Sequence, residues 1–269
     1  MDEKSKDYFV AYLDVLGFTD MVFANDSSRI DTYQQTLERE ILTLINEKFD
    51  AIQFLTISDT AVMLIEYAEE NKIENLRKLL QAVQEVQVIF AKKDIWIRGA
   101  VSLGKVWFDK KRNILIGQGY VNALLLEKEA IYPRVIIDPR IVLFVSNSAQ
   151  TFKLQYNDGI AAPNDRRRTL IYPFVANANE NGEKFIEDDS LFVCYGSLLV
   201  KDLNSSSWQE LYTNIKNNLY SNQKTYHKYL WLKKYLAHCL FDAKGHASST
   251  INPNMSSFLH NCFIQIRVL

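Results

Sequence analysis

Two aspartates hold places where side chains do chemistry. Asp14 ends the aromatic and β-branched run Tyr8-Phe-Val-Ala-Tyr-Leu13, just before the chain turns through Val15-Leu-Gly17. Asp59 fills the break Ser58-Asp59 between two apolar runs, 51–57 and 60–67. The first run reads as a strand apolar on both faces, the next two as a hairpin. If strand and hairpin are neighbours, both carboxylates emerge at one edge of the sheet. Two hard oxygen donors a few ångströms apart suffice for Mg²⁺, which commonly takes one or two carboxylates plus substrate phosphates. The amides of Leu16, Gly17, Phe18 and Thr19 would then form a small nest for those phosphates. The plainer alternative is that both aspartates are ordinary turn residues, a role this side chain favours.

Other chemical frameworks lack their parts. Cys194, Cys239 and Cys262 are odd in number with no close pair, which supports neither a disulfide framework nor a CxxC zinc site. Four scattered histidines form no HExxH. Gly99-Ala-Val-Ser-Leu-Gly104-Lys105 fits GxxxxGK, but Val106 follows where a P-loop needs Ser or Thr for Mg²⁺. That span is β-branched and reads as strand. Gly117-Gln-Gly119 is an incomplete GxGxxG without its third glycine.

Charge and length narrow the class further. Among 269 residues, 31 Lys+Arg meet 32 Asp+Glu, and a net charge of −1 leaves no electrostatic footprint for nucleic acid or an anionic membrane. The polar opening 1–7 is unlike a signal peptide, and the apolar run at 8–13 is far short of the ~20 residues a membrane helix needs. A cytoplasmic location is expected.

Elements must position the aspartates. From 28 to 48 apolar residues fall at Ile30, Tyr33, Leu37, Ile41, Leu44 and Ile45, the spacing of an amphipathic helix, with Asp26, Ser27 or Ser28 as its N-cap. A second helix is predicted over 73–93. Strands are expected at 95–103, 105–108 and 114–116, a helix at 120–130, and a strand at 134–138. Within the polar stretch 150–189 a strand is expected at 170–175, and another follows at 191–195. A long helix or helix pair runs from Trp208 to Phe241. Hairpins mixed with crossover helices argue an α+β fold, a mixed and mainly antiparallel sheet with helices on one face. We expect one domain over 1–269: a motif-bearing core (1–145), a variable loop-and-strand region (146–206) and a helical carboxyl-terminal extension (207–269).

Four motifs in this order resemble class III nucleotide cyclases. Asp14-Val-Leu-Gly-Phe-Thr19 resembles their D-x-x-G-F-[TS] opening, and Ile57-Ser-Asp-Thr-Ala-Val-Met63 their I-G-D-x-x-M hairpin. Ile97-Arg-Gly-Ala-Val-Ser-Leu-Gly104 is similar to L-R-x-G-I-x-x-G, and Gly119-Tyr-Val-Asn122 to G-x-x-V-N. Leu126-Glu127 with Ala130-Ile-Tyr-Pro-Arg-Val-Ile-Ile-Asp138, and Lys228-Tyr-Leu-Trp-Leu232, look like segments of the bacterial pyrimidine cyclases of Pycsar antiphage systems. The resemblance implies a homodimer with two sites across its interface. It implies conversion of a nucleoside triphosphate to a 3′,5′-cyclic monophosphate and pyrophosphate with Mg²⁺ or Mn²⁺, two ions per site. Asp14, Asp59 and the Val15 carbonyl would hold the ions, Asn122 would position the ribose, and a cyclic-nucleotide effector would act downstream. Asn122 has an alternative role at a helix N-terminus, satisfying free amides.

The departures from the family pattern concern the base and the transition state. Leu55 and Leu115 stand where purine cyclases carry polar base-reading residues, which favours a pyrimidine lying against Phe54 or Leu55. Leu126 stands where the resemblance expects a transition-state Arg. Arg98 is a substitute for it, and Arg134 a further cation for the substrate. Arg166, Arg167 and Arg168 form either another such source or a solvated surface run. Two other classes stay open: an inactive nucleotide- or protein-binding module, and a metal-dependent phosphohydrolase built on the same Asp pair.

Overall fold

A computed structural model describes residues 5–112, 114–157, 169–172, 190–248 and 253–269. The Arg166 to Arg168 run and most of the polar stretch read at 150–189 lie outside them. The chain divides into two compact units, Met1–Tyr172 with Ser190–Val193, and Pro173–Asp189 with Cys194–Leu269. The sequence reading, which keeps 1–269 as one domain, does not make that division.

In the first unit, β1 (Lys6–Val15) is followed by α1 (Phe18–Phe23), α2 (Ser27–Gln35) and α3 (Leu42–Lys48). A π-helical stretch, Thr36–Ile41, joins α2 to α3, so the run expected as one helix is continuous from Ser27 to Lys48. Its N-cap is Asp26, whose side chain accepts from the Arg29 amide at 3.1 Å. Then come β2 (Gln53–Ile57), β3 (Thr60–Glu66), α4 (Lys72–Ala91), β4 (Ile97–Asp109), β5 (Ile114–Gly117), α5 (Gln118–Glu127) and β6 (Val135–Ile137). The unit continues with α6 (Pro139–Val145) and α7 (Ala149–Asn157).

The strands lie in the order β2-β3-β1-β4-β5, with β6 also on β4. Every pairing is antiparallel except β4 with β6. The first four strands and their crossover helices make the split βαβ arrangement of ferredoxin-like folds. The α+β class expected from the sequence is the one observed. Because β1 lies between β3 and β4, Asp14 is opposite Thr60 on one side and Arg98 on the other.

Alternation along the strands makes two different faces. Phe9, Ala11 and Leu13 point with Met63 and Ile65 into a core closed by α4 and the α2–α3 run. Tyr8, Val10 and Tyr12 point the other way, with Leu55, Val62 and Leu64, and α5 contributes Ala123 and Tyr120 there. Helices on one face only, as expected, is therefore corrected: α5 covers part of the second face. Close approach explains how. A Cβ on Gly119 would lie 3.0 Å from the Gly104 carbonyl, so two glycines let the helix rest directly on β4. Gly104 also does not end a strand, and the two strands predicted at 95–103 and 105–108 are one, β4.

The rest of the reading fared unevenly. The strands expected at 170–175 and 191–195 reduce, among the described residues, to isolated bridges of Ile171 with Val193 and Phe192 with Ile136. Helices α1, α6 and α7 were not foreseen. In the second unit, α8 (Gly196–Lys201) precedes α9 (Ser205–Ser221), α10 (Gln223–Ser248) and α11 (Pro253–Val268). The 208–241 segment is thus a pair of helices. Asn204 caps α9 reciprocally with Ser207, and Trp208 Nε1 donates to Gln265 Oε1 on α11 at 2.5 Å. Among the described residues, no helix is long and apolar enough to cross a membrane.

Candidate active site

Asp14 closes β1 on the α5 side of the sheet. Arg98, its cross-strand neighbour on β4, reaches Asp14 Oδ2 with Nη2 at 3.1 Å and Nε at 3.2 Å. The same Nε lies 2.5 Å from Oε1 of Glu127, the last residue of α5. Side-chain exposure is 19% for Asp14, 29% for Arg98 and 6% for Glu127. One guanidinium is therefore held between two carboxylates, as a half-buried charge on an apolar strand requires. Burial pushes the Glu127 carboxyl up; Arg98 pulls against that, and the Asp14 charge adds to it.

Asp59 reaches the same region from the hairpin. Ile57 pairs with Thr60, which leaves Ser58-Asp59 as a two-residue loop, and Ser58 takes a φ of 58°. A positive φ at the first loop position matches the twist of the strands. Tyr33 of α2 fixes this tip: its hydroxyl donates to the Ser58 carbonyl at 3.2 Å. Its ring is packed edge-on by Phe18 and stacked on Phe90. The Tyr33 hydroxyl is pushed up to about 12, first by burial and then by the charges of Asp59 and Asp14. Both carboxylates thus act on a single buried hydroxyl. On the other side, Tyr12 Oη and Thr60 Oγ1 are 3.2 Å apart next to Asp14.

The remaining sequence-predicted residues divide. Val15 follows Asp14 with its side chain in the helical core. The Leu16 amide donates to the Trp96 carbonyl at 2.8 Å, so it is removed from the expected nest. Gly17, in the left-handed region at φ 78°, precedes Phe18 and Thr19 in the first turn of α1. Asn122 lies beyond the first turn of α5, and its Nδ2 donates to the Leu103 carbonyl at 3.4 Å. The N-terminal capping alternative for Asn122 is thereby corrected. Leu55 and Leu115 share the site face. Phe54 does not, because it packs on the helical core opposite, and a base cannot rest on both it and Leu55.

Arg134 corrects another expectation. It is 1% exposed at the foot of β6, donates Nε to the Ala130 carbonyl at 3.1 Å, and lies over the Tyr132 and Phe192 rings. A side chain so enclosed has little surface to offer a substrate. Conversely, Glu127, Tyr33, Tyr12 and Thr60 belong to the cluster without having been singled out for it. Tyr33 was legible only as one apolar position in a helical stripe. Glu127 appeared in the Leu126-Glu127 segment but had no assigned role.

The donor set suits a hard cation. Asp14 and Glu127 bring two carboxylates against the one guanidinium of Arg98, and Asp59 stands in the loop next to Thr60, the cross-strand neighbour of Asp14. Among the described residues, no group of three or more His, Cys, Asp or Glu is arranged to hold a metal. What the chain offers is a pair of carboxylates, which fits an ion that fills its shell with water and phosphate oxygens.

No protein-family model and no curated protein sequence matches the chain. Solved structures similar to it include the adenylyl cyclase CyaB from P. aeruginosa, at 13% identity and a TM-score of 0.39 over 52% of this chain and 81% of that one. The guanylyl cyclase Cya2 is similar at 11% identity and a TM-score of 0.42, over 55% of this chain and 82% of its own. An adenylate/guanylate cyclase/hydrolase from Silicibacter pomeroyi is similar at 13% identity and a TM-score of 0.39, over 52% and 81%.

Proposed function

We propose that the chain is a nucleotide cyclase that turns UTP or CTP into its 3′,5′-cyclic monophosphate and pyrophosphate. The supporting observation is that Asp14 near the end of β1 and Asp59 in the β2–β3 loop both act on the Tyr33 hydroxyl while Arg98 stands against Asp14. Asp14, Asp59 and the Val15 carbonyl would hold Mg²⁺ or Mn²⁺. Such ions, two per site, lower the pKa of an attacking ribose 3′-hydroxyl and neutralise the leaving pyrophosphate. Arg98 supplies a positive charge for the phosphates, the role the resemblance gives to an Arg at Leu126. Asn122 holds the ribose, and the open first-turn amides at Phe18 and Thr19 face the phosphate chain.

Leu55 and Leu115 form the base wall. A purine edge against two leucines would lose its water without gaining partners, at roughly 1–3 kcal/mol per polar group. A pyrimidine would take its hydrogen bonds elsewhere, for instance from Gln53, which alternates onto the same face as Leu55. The assembly is a homodimer with its sites at the interface. Its apolar contact surface would include Val121 and Leu125, one turn apart on α5 and about half exposed, and Ile57 of the hairpin. The cyclic product would go to a separate effector in antiphage signalling within the cytoplasm, as the resemblance suggests.

Incubation with each of the four ribonucleoside triphosphates and Mn²⁺, then chromatography of products, tests this. The expected result is a cyclic product, with kcat/KM for UTP or CTP above ATP and GTP. ATP or GTP coming out best would mean that the leucines do not face the base. A linear mono- or diphosphate would identify a phosphohydrolase. The second reading, an inactive nucleotide-binding domain, is favoured by one feature, Leu126 in place of a cation, and the absence of any product would select it.

A further inference from the structure

We infer that Arg98 is a resident counter-ion of Asp14 that gives way to a divalent cation, and that Glu127 is the positioning residue onto which Arg98 withdraws. The inference rests on the metal role proposed for Asp14, and it concerns groups that lie before any nucleotide arrives. Both Arg98 bonds end on the same oxygen, Asp14 Oδ2, at 3.1 and 3.2 Å. A carboxylate oxygen in that position cannot hold a guanidinium edge and a metal ion together, because the two positive charges would be pressed against each other. A cation that takes this oxygen therefore displaces Arg98, and a half-buried guanidinium must move to another acceptor.

Glu127 is that acceptor. Its Oε1 lies 2.5 Å from Arg98 Nε, yet it is buried with no hydrogen-bond partner among the described residues. The ion pair is close but out of line, so a small rotation of the guanidinium would turn it into a directed, charge-assisted bond. The charges agree. Asp14 with Arg98 alone would be neutral and would attract no cation. Glu127 makes the trio net negative and keeps Arg98 beside the site after it leaves Asp14. Because Glu127 ends the helix that carries Asn122, the same movement reaches α5.

The test is Mn²⁺ binding to the full-length protein without nucleotide, read by electron paramagnetic resonance of free Mn²⁺ and by calorimetry. Arg98→Gln removes the competitor, and Mn²⁺ should bind roughly tenfold more tightly, whatever happens to turnover. Glu127→Gln leaves Arg98 with Asp14 alone, and binding should weaken by roughly tenfold. In the Arg98→Gln background the Glu127→Gln effect should shrink to a small through-space remainder. Glu127→Asp, which keeps the charge but shortens its reach, should weaken binding in the same direction, and it serves if the Gln variant does not fold. Weaker or unchanged binding in Arg98→Gln overturns the inference. So does a Glu127→Gln effect of equal size with and without Arg98, or a wild-type protein whose Mn²⁺ binding does not depend on Asp14. Asp14-dependent Mn²⁺ binding without any cyclic product would sink the cyclase reading alone, and the opposed shifts of the two variants would still decide this one.

Discussion

The two faces of the sheet are built from the same strands and do different work. On the helical face, β1 and β3 present Phe9, Leu13, Met63 and Ile65, each at most 1% exposed, to α4 and the α2–α3 run. On the other face the same strands present Val10, Val62 and Leu64 in the middle and Asp14 and Thr60 at the end. Period-two alternation lets a single strand serve a core and a site, provided the polar residues fall where the strand runs out. Asp14 and Arg98 keep enough exposure there to meet a ligand. The difference teaches where stability and chemistry separate: the middle of the sheet holds the fold, and its end on one face holds the charges.

Substitution should reveal that separation. Phe9→Ala empties a wholly buried ring site stacked on Tyr67 at 4.3 Å between centroids. It should cost ~3–5 kcal/mol in urea denaturation, a large part of a typical total of 5–15. Asp14→Ala, five residues along the same strand but on the other face, should cost within ~1 kcal/mol, because Arg98 keeps Glu127 and the site is partly wet. Its turnover should nevertheless fall by at least ~10²–10³, and Asp59→Ala should behave alike. An Asp14→Ala protein as unstable as Phe9→Ala, or one that turns over normally, would break the division between the faces.

Much of this was legible because hydrophobic period reports element type directly. The strand at 8–13, the helix beginning near Asp26 and the Ser58-Asp59 hairpin all carry their period and their punctuation in a few residues. Pairing order was not read from the sequence, where β1 beside the hairpin was only a condition; the structure supplies it. Three further things were not legible, each for a physical reason. Helix α5 is apolar nearly all round, so its pattern does not tell which face of the sheet it covers. Gly104 looks like a breaker in sequence, and only its contact with Gly119 shows that it serves close packing within one strand. Arg98 and Arg134 look equivalent as cations on apolar strands. Only the fold separates the one beside Asp14 from the one packed over Tyr132 and Phe192.

The finest test concerns the residue that joins the two faces. Tyr33 has its ring in the helical core and its hydroxyl on the Ser58 carbonyl, within the field of Asp14 and Asp59. Tyr33→Phe keeps the ring and removes only that hydrogen bond, so the expected loss is about 1 kcal/mol. The loss should also depend on pH in a defined direction. In the folded protein the hydroxyl is pushed up from 10.0 to about 12, so between those values the unfolded chain gives up its proton first. The folded state then binds more protons than the unfolded one, and stability falls as pH rises. The wild-type advantage over Tyr33→Phe should be fully present below pH 10 and should fade as pH approaches 12. Urea titrations of both proteins between pH 8 and 12, with chelator present, measure it. An advantage that stays constant across that range would mean that the hydroxyl is not pushed up in the folded protein, and no advantage at any pH would mean that Tyr33 holds the hairpin by ring packing alone, leaving the Ser58-Asp59 tip to be fixed by its own turn.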